Sequence, residues 1–154
     1  MDASRLLVLL PQPTDLTPAD TASYEKYTLA EELRRYHPNV EELIYPQVPC
    51  DQEIVAILDA LEADQTVILG TTSAHLNDGQ RALAQTLLAR HERVMTVALR
   101  TPYDLVAYPE AATHLCTYSI NSPAMKALAA VLAGQAEARG RLPVQLTNVA
   151  SSPA

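Results

Sequence analysis

The sequence predicts a single doubly wound α/β domain, built on a mainly parallel five-stranded sheet with helices on both faces. Three observations predict it. Short apolar runs alternate with amphipathic stretches along the chain, as repeated strand–helix–strand units require. Two of the runs, residues 6–10 and 67–69, are apolar at every position, which marks central parallel strands covered on both sides. The 154 residues, 48% hydrophobic and 19% charged, suit one globular domain able to bury a core of its own.

Strands are expected at residues 5–10, 42–45, 66–70, 94–99 and 113–118. Helices are expected over 23–36, 51–63, 78–91 and 123–136, with a short helical turn over 103–108. The sequence His37-Pro38 stops the first helix, because the residue before a proline is steered away from helical geometry. Asn77 is placed to cap the third helix, with Gln80 three residues on, and Asp78 puts negative charge at the positive end of its dipole. Leu83, Leu87 and Leu88 then share one face. Ser122-Pro123 supplies a cap and a first-turn proline for the fourth helix.

Right-handed crossovers leave few topologies for five parallel strands, and the flavodoxin-like order 2-1-3-4-5 is the one expected. That order opens a crevice at the C-terminal ends of the first and third strands, bordered by residues 11–13 and 71–75. The proline-rich stretch 11–22 reads as an irregular loop. Residues 1–146 are expected to form the domain and residues 147–154, small and polar, a flexible tail.

A net charge of −7 and a pI near 4.9 repel nucleic-acid phosphates and anionic membrane surfaces, so neither is an expected partner. The apolar run 6–10 is too short for a signal-peptide core or a membrane span. A cytoplasmic chain is expected, unless it is cut from a longer secreted protein. Cys50 and Cys116 form no C-x-x-C pair, and Cys116 reads as a small core residue. No cofactor or metal is expected. Gly70, Gly79, Gly134 and Gly140 are too dispersed to cradle a phosphate, and no two histidines have the helical spacing of metal ligands. Pro11-Gln12-Pro13 stands where a phosphoacceptor site would need acids.

The candidate substrate- or partner-facing residues lie after the third and fourth strands: Thr72, Ser73, His75, Arg100, Tyr103 and Asp104. No G-x-S-x-G elbow is present, so Ser73 beside His75 is a weak nucleophile–base pair; such hydroxyls ordinarily satisfy their own loop's backbone. His37 and His91 end helices, where a cation suits the dipole, and His114 reads as a core or edge residue of the fifth strand. Arg100, Tyr103 and Asp104 either form a polar site, or Asp104 pairs with Arg100 or caps the next turn.

An ordered series of motifs now becomes recognisable. It runs from Val67-Ile68-Leu69-Gly70-Thr71-Thr72-Ser73-Ala74-His75 and Gly79-Gln80 to Val97-Ala98-Leu99-Arg100-Thr101-Pro102-Tyr103-Asp104-Leu105. Tyr118, Ser122-Pro123, Ala127-Leu128, Val131-Leu132-Ala133-Gly134 and Gly140-Arg141-Leu142-Pro143-Val144 follow. Together these resemble the C-terminal domain of glycoside hydrolase family 3, in its bacterial β-N-acetylhexosaminidase branch. The motifs cover residues 65–146, and the first sixty residues match in pattern only.

The resemblance implies a retaining two-part glycosidase acting on β-linked N-acetylglucosamine. In it a (β/α)8 barrel, joined in cis or in trans, supplies the aspartate nucleophile and a His-Asp acid/base dyad. A barrel needs about 250 residues, more than this chain holds. Its K-H-F-P-G-H-G type loop is absent, and Glu110 and Glu137 lie outside every matching motif, so no catalytic role is carried over. Three readings follow. The first is an accessory domain that is inactive alone and walls one side of a sugar site. The second is a stand-alone binding module for a sugar or small ligand, with Tyr103, Tyr108 and Tyr118 converging. The third is an unrelated flavodoxin-like hydrolase using Ser73 and His75. A domain that faces a barrel retains an apolar patch, so a homo-oligomer is also compatible with the sequence.

Overall fold

The computed structural model of the chain describes residues 5–15 and 17–146. Its strands are β1 (Leu6–Pro11), β2 (Val40–Tyr45), β3 (Thr66–Thr71), β4 (Val94–Ala98) and β5 (His114–Cys116). The helices are α1 (Leu29–Arg34), α2 (Asp51–Asp59), α3 (Asp78–Arg90) and α4 (Ser122–Leu132). All strand pairs are parallel and the sheet order is β2-β1-β3-β4-β5, as the alternation of elements predicts. In the register, Val8 lies between Glu42 and Ile68, and Leu69 between Leu9 and Thr96.

Neighbouring residues of a strand point to opposite faces, so each central strand feeds two cores. On one face Leu9, Tyr45, Val67 and Leu69 pack with Ile54 and Ile57 of α2 and with Leu83 and Leu87 of α3. On the other, Val8, Leu10, Ile68, Val97 and Leu99 pack with Leu29 and Leu33 of α1 and Met125 and Leu128 of α4. This double cover is why β1 and β3 show no polar alternation.

Four elements are clearly shorter than the sequence pattern predicts; α2 ends at Asp59 rather than 63, and the other three have a visible local reason. The helix expected at 23–36 is instead a 3-10 turn, Ala22–Tyr24, followed by extended chain at Glu25 and then α1. Asp20 Oδ1 accepts the N–H groups of Thr21 and Ala22, at 2.9 and 3.1 Å, and Asp15 takes both the N–H and the hydroxyl of Ser23. These short acidic side chains capture the backbone that a helix would have used. The fourth helix ends at Leu132 rather than 136, because Gly134 adopts a left-handed φ of 69°. The N–H of Gly134 then reaches Val131 O and that of Gln135 reaches Ala130 O, a Schellman stop. The fifth strand pairs over only three residues, and the chain turns away through Tyr118 at φ 57°.

Among the described residues no helix is long and apolar enough to cross a membrane. The stretch 147–154, expected as a flexible tail, lies outside the described residues.

Candidate functional site

The candidate residues sit on loops at the C-terminal ends of the strands. The loop after β3 is held at every step. Gln80, fully buried in the first turn of α3, accepts the N–H of Thr72 at 2.8 Å and donates to Gln47 O at 2.8 Å. Asn77 caps α3 by accepting the N–H of Gln80 at 3.0 Å, and its amide also donates to Gln47 O at 2.7 Å. These bonds tie the β3 loop to the loop after β2. The contact is so close that a Cβ on Gly79 would lie 2.4 Å from the Pro49 carbonyl oxygen. Ser73 takes up the tight turn with a left-handed φ of 60°, and Arg81 donates to the His75 carbonyl at 2.9 Å.

His75 and Asp104 form a dyad. Asp104, on the 3-10 helix Pro102–Ala107, is wholly buried. Its Oδ1 lies 3.2 Å from His75 Nδ1, and its Oδ2 accepts the Thr71 hydroxyl at 2.7 Å. The Tyr108 hydroxyl sits 2.7 Å from Thr71 Oγ1. Since the Thr71 proton goes to the carboxylate, Tyr108 donates to Thr71. Burial pushes the Tyr108 phenol well above its ordinary range, which keeps that donor protonated. A carboxylate accepts, so His75 Nδ1 carries a proton toward Asp104, and in the neutral ring Nε2 is then the acceptor. The imidazole is 24% exposed, and Nε2 has no hydrogen-bond partner among the described residues. The exposed ring of Tyr103 lies 5.6 Å from it, tilted by 56°.

Arg100 turns the other way and pairs with Asp20. Beside it, burial raises the pKa of the Tyr27 phenol, with Thr72 and Arg100 opposing the rise. With Gln12, Thr14, Gln47 and Ile120 these residues line a shallow crevice that has room for about one water molecule. It lies by the ends of β1 and β3, where the strand order reverses.

The structure therefore splits the six candidates. Thr72 and Arg100 line the crevice, while His75, Tyr103 and Asp104 form a separate cluster. The Arg100–Asp104 pair, one of the alternatives the sequence left open, does not form, because Asp20 takes the guanidinium and the Thr71–His75 network takes the carboxylate. Asp104 itself does not face outward; its carboxylate reaches His75 and Thr71 from the interior. No hydrogen bond joins Ser73 to His75 among the described residues. Tyr108 does not converge with Tyr103 on the surface but points its hydroxyl into the interior network. The residues missed from the sequence are Asp20 and Tyr27, while the sequence marks Thr71 only as a border of the crevice and Tyr108 only as a surface tyrosine. Only Asp20 carried a local signal, as an acid able to close a turn on its own backbone.

The other histidines are engaged elsewhere. His114 bonds Thr96 Oγ1 at 2.8 Å, and burial pushes its pKa down to about 4. His37 accepts the Asn39 N–H, and His91 bonds Gln65 O. Cys116, expected in the core, is only half-buried on the edge strand, and Cys50 is exposed. Among the described residues no group of three or more His, Cys, Asp or Glu is placed to hold a metal ion.

No protein-family model and no curated protein sequence matches the chain. Solved structures do. A glycoside hydrolase family 3 β-N-acetylglucosaminidase from Paenibacillus sp. str. FPU-7 matches 96% of the chain at 28% identity, with a TM-score of 0.81. A fungal multi-domain family 3 β-N-acetylglucosaminidase with a GCN5-related glucosamine N-acetyltransferase region matches 98% of it, also at 28% identity, with a TM-score of 0.74. The chain spans only 28% and 17% of those two proteins. The likeness to family 3 read from residues 65–146 thus extends over nearly the whole chain.

Proposed function

From its likeness to one domain of the family 3 β-N-acetylglucosaminidases, we propose that this chain is the accessory domain of a retaining glycosidase acting on β-linked N-acetylglucosamine. A (β/α)8 barrel, in cis or in trans, supplies the nucleophile and the acid/base group. The chain walls one side of the sugar site with the C-terminal rim of its sheet. One observation carries the reading: the match covers nearly all of this chain but under a third of either enzyme.

The carboxylate chemistry supports it. A retaining glycosidase needs a nucleophilic carboxylate free to face the scissile bond. Here Asp104 is buried with both oxygens engaged, and Asp20 is paired with Arg100. A hydrolase built on Ser73 and His75 lacks comparable support, since nothing couples the two side chains.

The test is turnover of 4-nitrophenyl N-acetyl-β-D-glucosaminide by the purified chain, alone and mixed with a separately expressed family 3 barrel. The expected outcome is no hydrolysis alone and an increase in the barrel's rate on addition. Hydrolysis by the chain itself that persists through purification would overturn the proposal.

A further inference from the structure

Resting on the function proposed above, we propose that His75 contacts the sugar directly. Its Nε2 accepts a hydrogen bond from a hydroxyl or amide N–H of an N-acetylglucosamine unit, and Tyr103 offers that unit an aromatic face.

His75 is one of the donors that hold a buried carboxylate in the fold. A wholly buried carboxylate gives up its water, and its hydrogen bonds must replace that loss. Asp104 does so through a directed chain: Tyr108 donates to Thr71, Thr71 donates to one carboxylate oxygen, and His75 Nδ1 donates to the other. The chain ends at one ring nitrogen, Nε2, at the surface and without a protein partner among the described residues. Arg81 fixes the backbone of the same residue, and Gln80 and Asn77 fix the loop around it. His37 and His91 bond backbone groups, and the side chain of His114 is mostly buried. His75 alone among the four has its tautomer set by a carboxylate while its other nitrogen reaches solvent.

A ring nitrogen held in a fixed orientation beside an exposed aromatic ring suits a pyranose, which offers both polar edges and C–H faces. A pyranose presents hydroxyl and amide donors around its edge and C–H groups on its faces, and Tyr103 at 5.6 Å is placed to meet such a face. Asp104 is then a positioning residue, acting through the tautomer of His75.

The test is a titration of the full, isotope-labelled chain with N,N′-diacetylchitobiose to concentrations on the order of 50 mM, where weak binding is measurable. The expected result is saturable shifts at the His75 Nε2 and Tyr103 ring resonances. His75→Ala and Tyr103→Ala, both at the surface, each weaken binding about fivefold, the worth of one ordinary hydrogen bond. Asp104→Asn weakens it similarly and shifts the His75 nitrogen pair away from the Nδ1–H pattern, a change that a purely structural role would not produce. The absence of saturable shifts at His75 and Tyr103, or shifts unaltered by His75→Ala, overturns the inference. Barrel complementation is read independently: a chain that activates the barrel while His75 stays silent loses this inference alone, and one that binds chitobiose at His75 yet fails to activate the barrel loses only the accessory role.

Discussion

Asp104 and His75 meet across 3.2 Å, carboxylate to Nδ1, although 29 residues separate them and only the imidazole reaches solvent. The carboxylate is the hub of a buried polar network, so its removal leaves the Thr71 hydroxyl and the His75 N–H without their acceptor. Asp104→Ala is therefore expected to destabilise the fold by about 3 kcal/mol. Asp104→Asn, which keeps the shape and one acceptor, costs less than half of that. Urea unfolding of the variants checks the order; equal losses for Ala and Asn would contradict it.

Gly79 tests the seam between α3 and the loop after β2. Alanine in a helix is ordinarily worth about 1 kcal/mol over glycine. Here its Cβ would stand 2.4 Å from the Pro49 carbonyl oxygen, and that neighbour is backbone. The clash outweighs the propensity gain, so Gly79→Ala should lower stability by roughly 1–2 kcal/mol net. An increase in the urea midpoint would show that the seam yields.

His114 makes stability depend on pH. Its folded pKa is about 4, lowered by burial from 6.5. Between those values the unfolded chain binds a proton that the folded chain does not. Stability is unaffected by His114 above pH 6.5 and falls as pH drops, by roughly 3 kcal/mol at pH 4. His114→Gln removes this contribution while the carboxylates titrate as before. Stability curves for the two proteins should diverge in slope below pH 6.5, and parallel curves would refute the assignment.

The Arg100–Asp20 pair anchors the long loop after β1 to the end of β4. Both side chains are partly buried, so the pair is worth more than a fully exposed one, about 1 kcal/mol. Arg100→Gln should loosen the loop and speed trypsin cleavage after Lys26 about fivefold under native conditions. An unchanged cleavage rate would mean that Asp20 and Asp15 hold the loop through their own turns.

What the sequence determined by itself is the architecture. The apolar runs at 6–10 and 67–69 named the central strands, Asn77 with Gln80 marked the start of α3, and the alternation of elements left few strand orders, with 2-1-3-4-5 the one expected. These are properties of adjacent residues, governed by period, propensity and capping. Element ends were less legible: Asp15 and Asp20 dismantled half of the first predicted helix by bonds that hydrophobic periodicity does not register. The positive φ of Gly134 likewise decided where α4 stopped.

Which of the candidates come together depended on contacts between distant parts of the chain. Arg100 and Asp104 lie four apart in sequence, yet the guanidinium goes to Asp20 and the carboxylate to Thr71 and His75. Tyr108, the inner end of the network, had no local signature, because its role depends on β3 lying alongside β4. A hydrogen bond needs its partners within about 3 Å, and sequence spacing does not set that distance when each partner comes from a different strand end. The parallel sheet sets it, by gathering the C-terminal ends of all five strands on one rim.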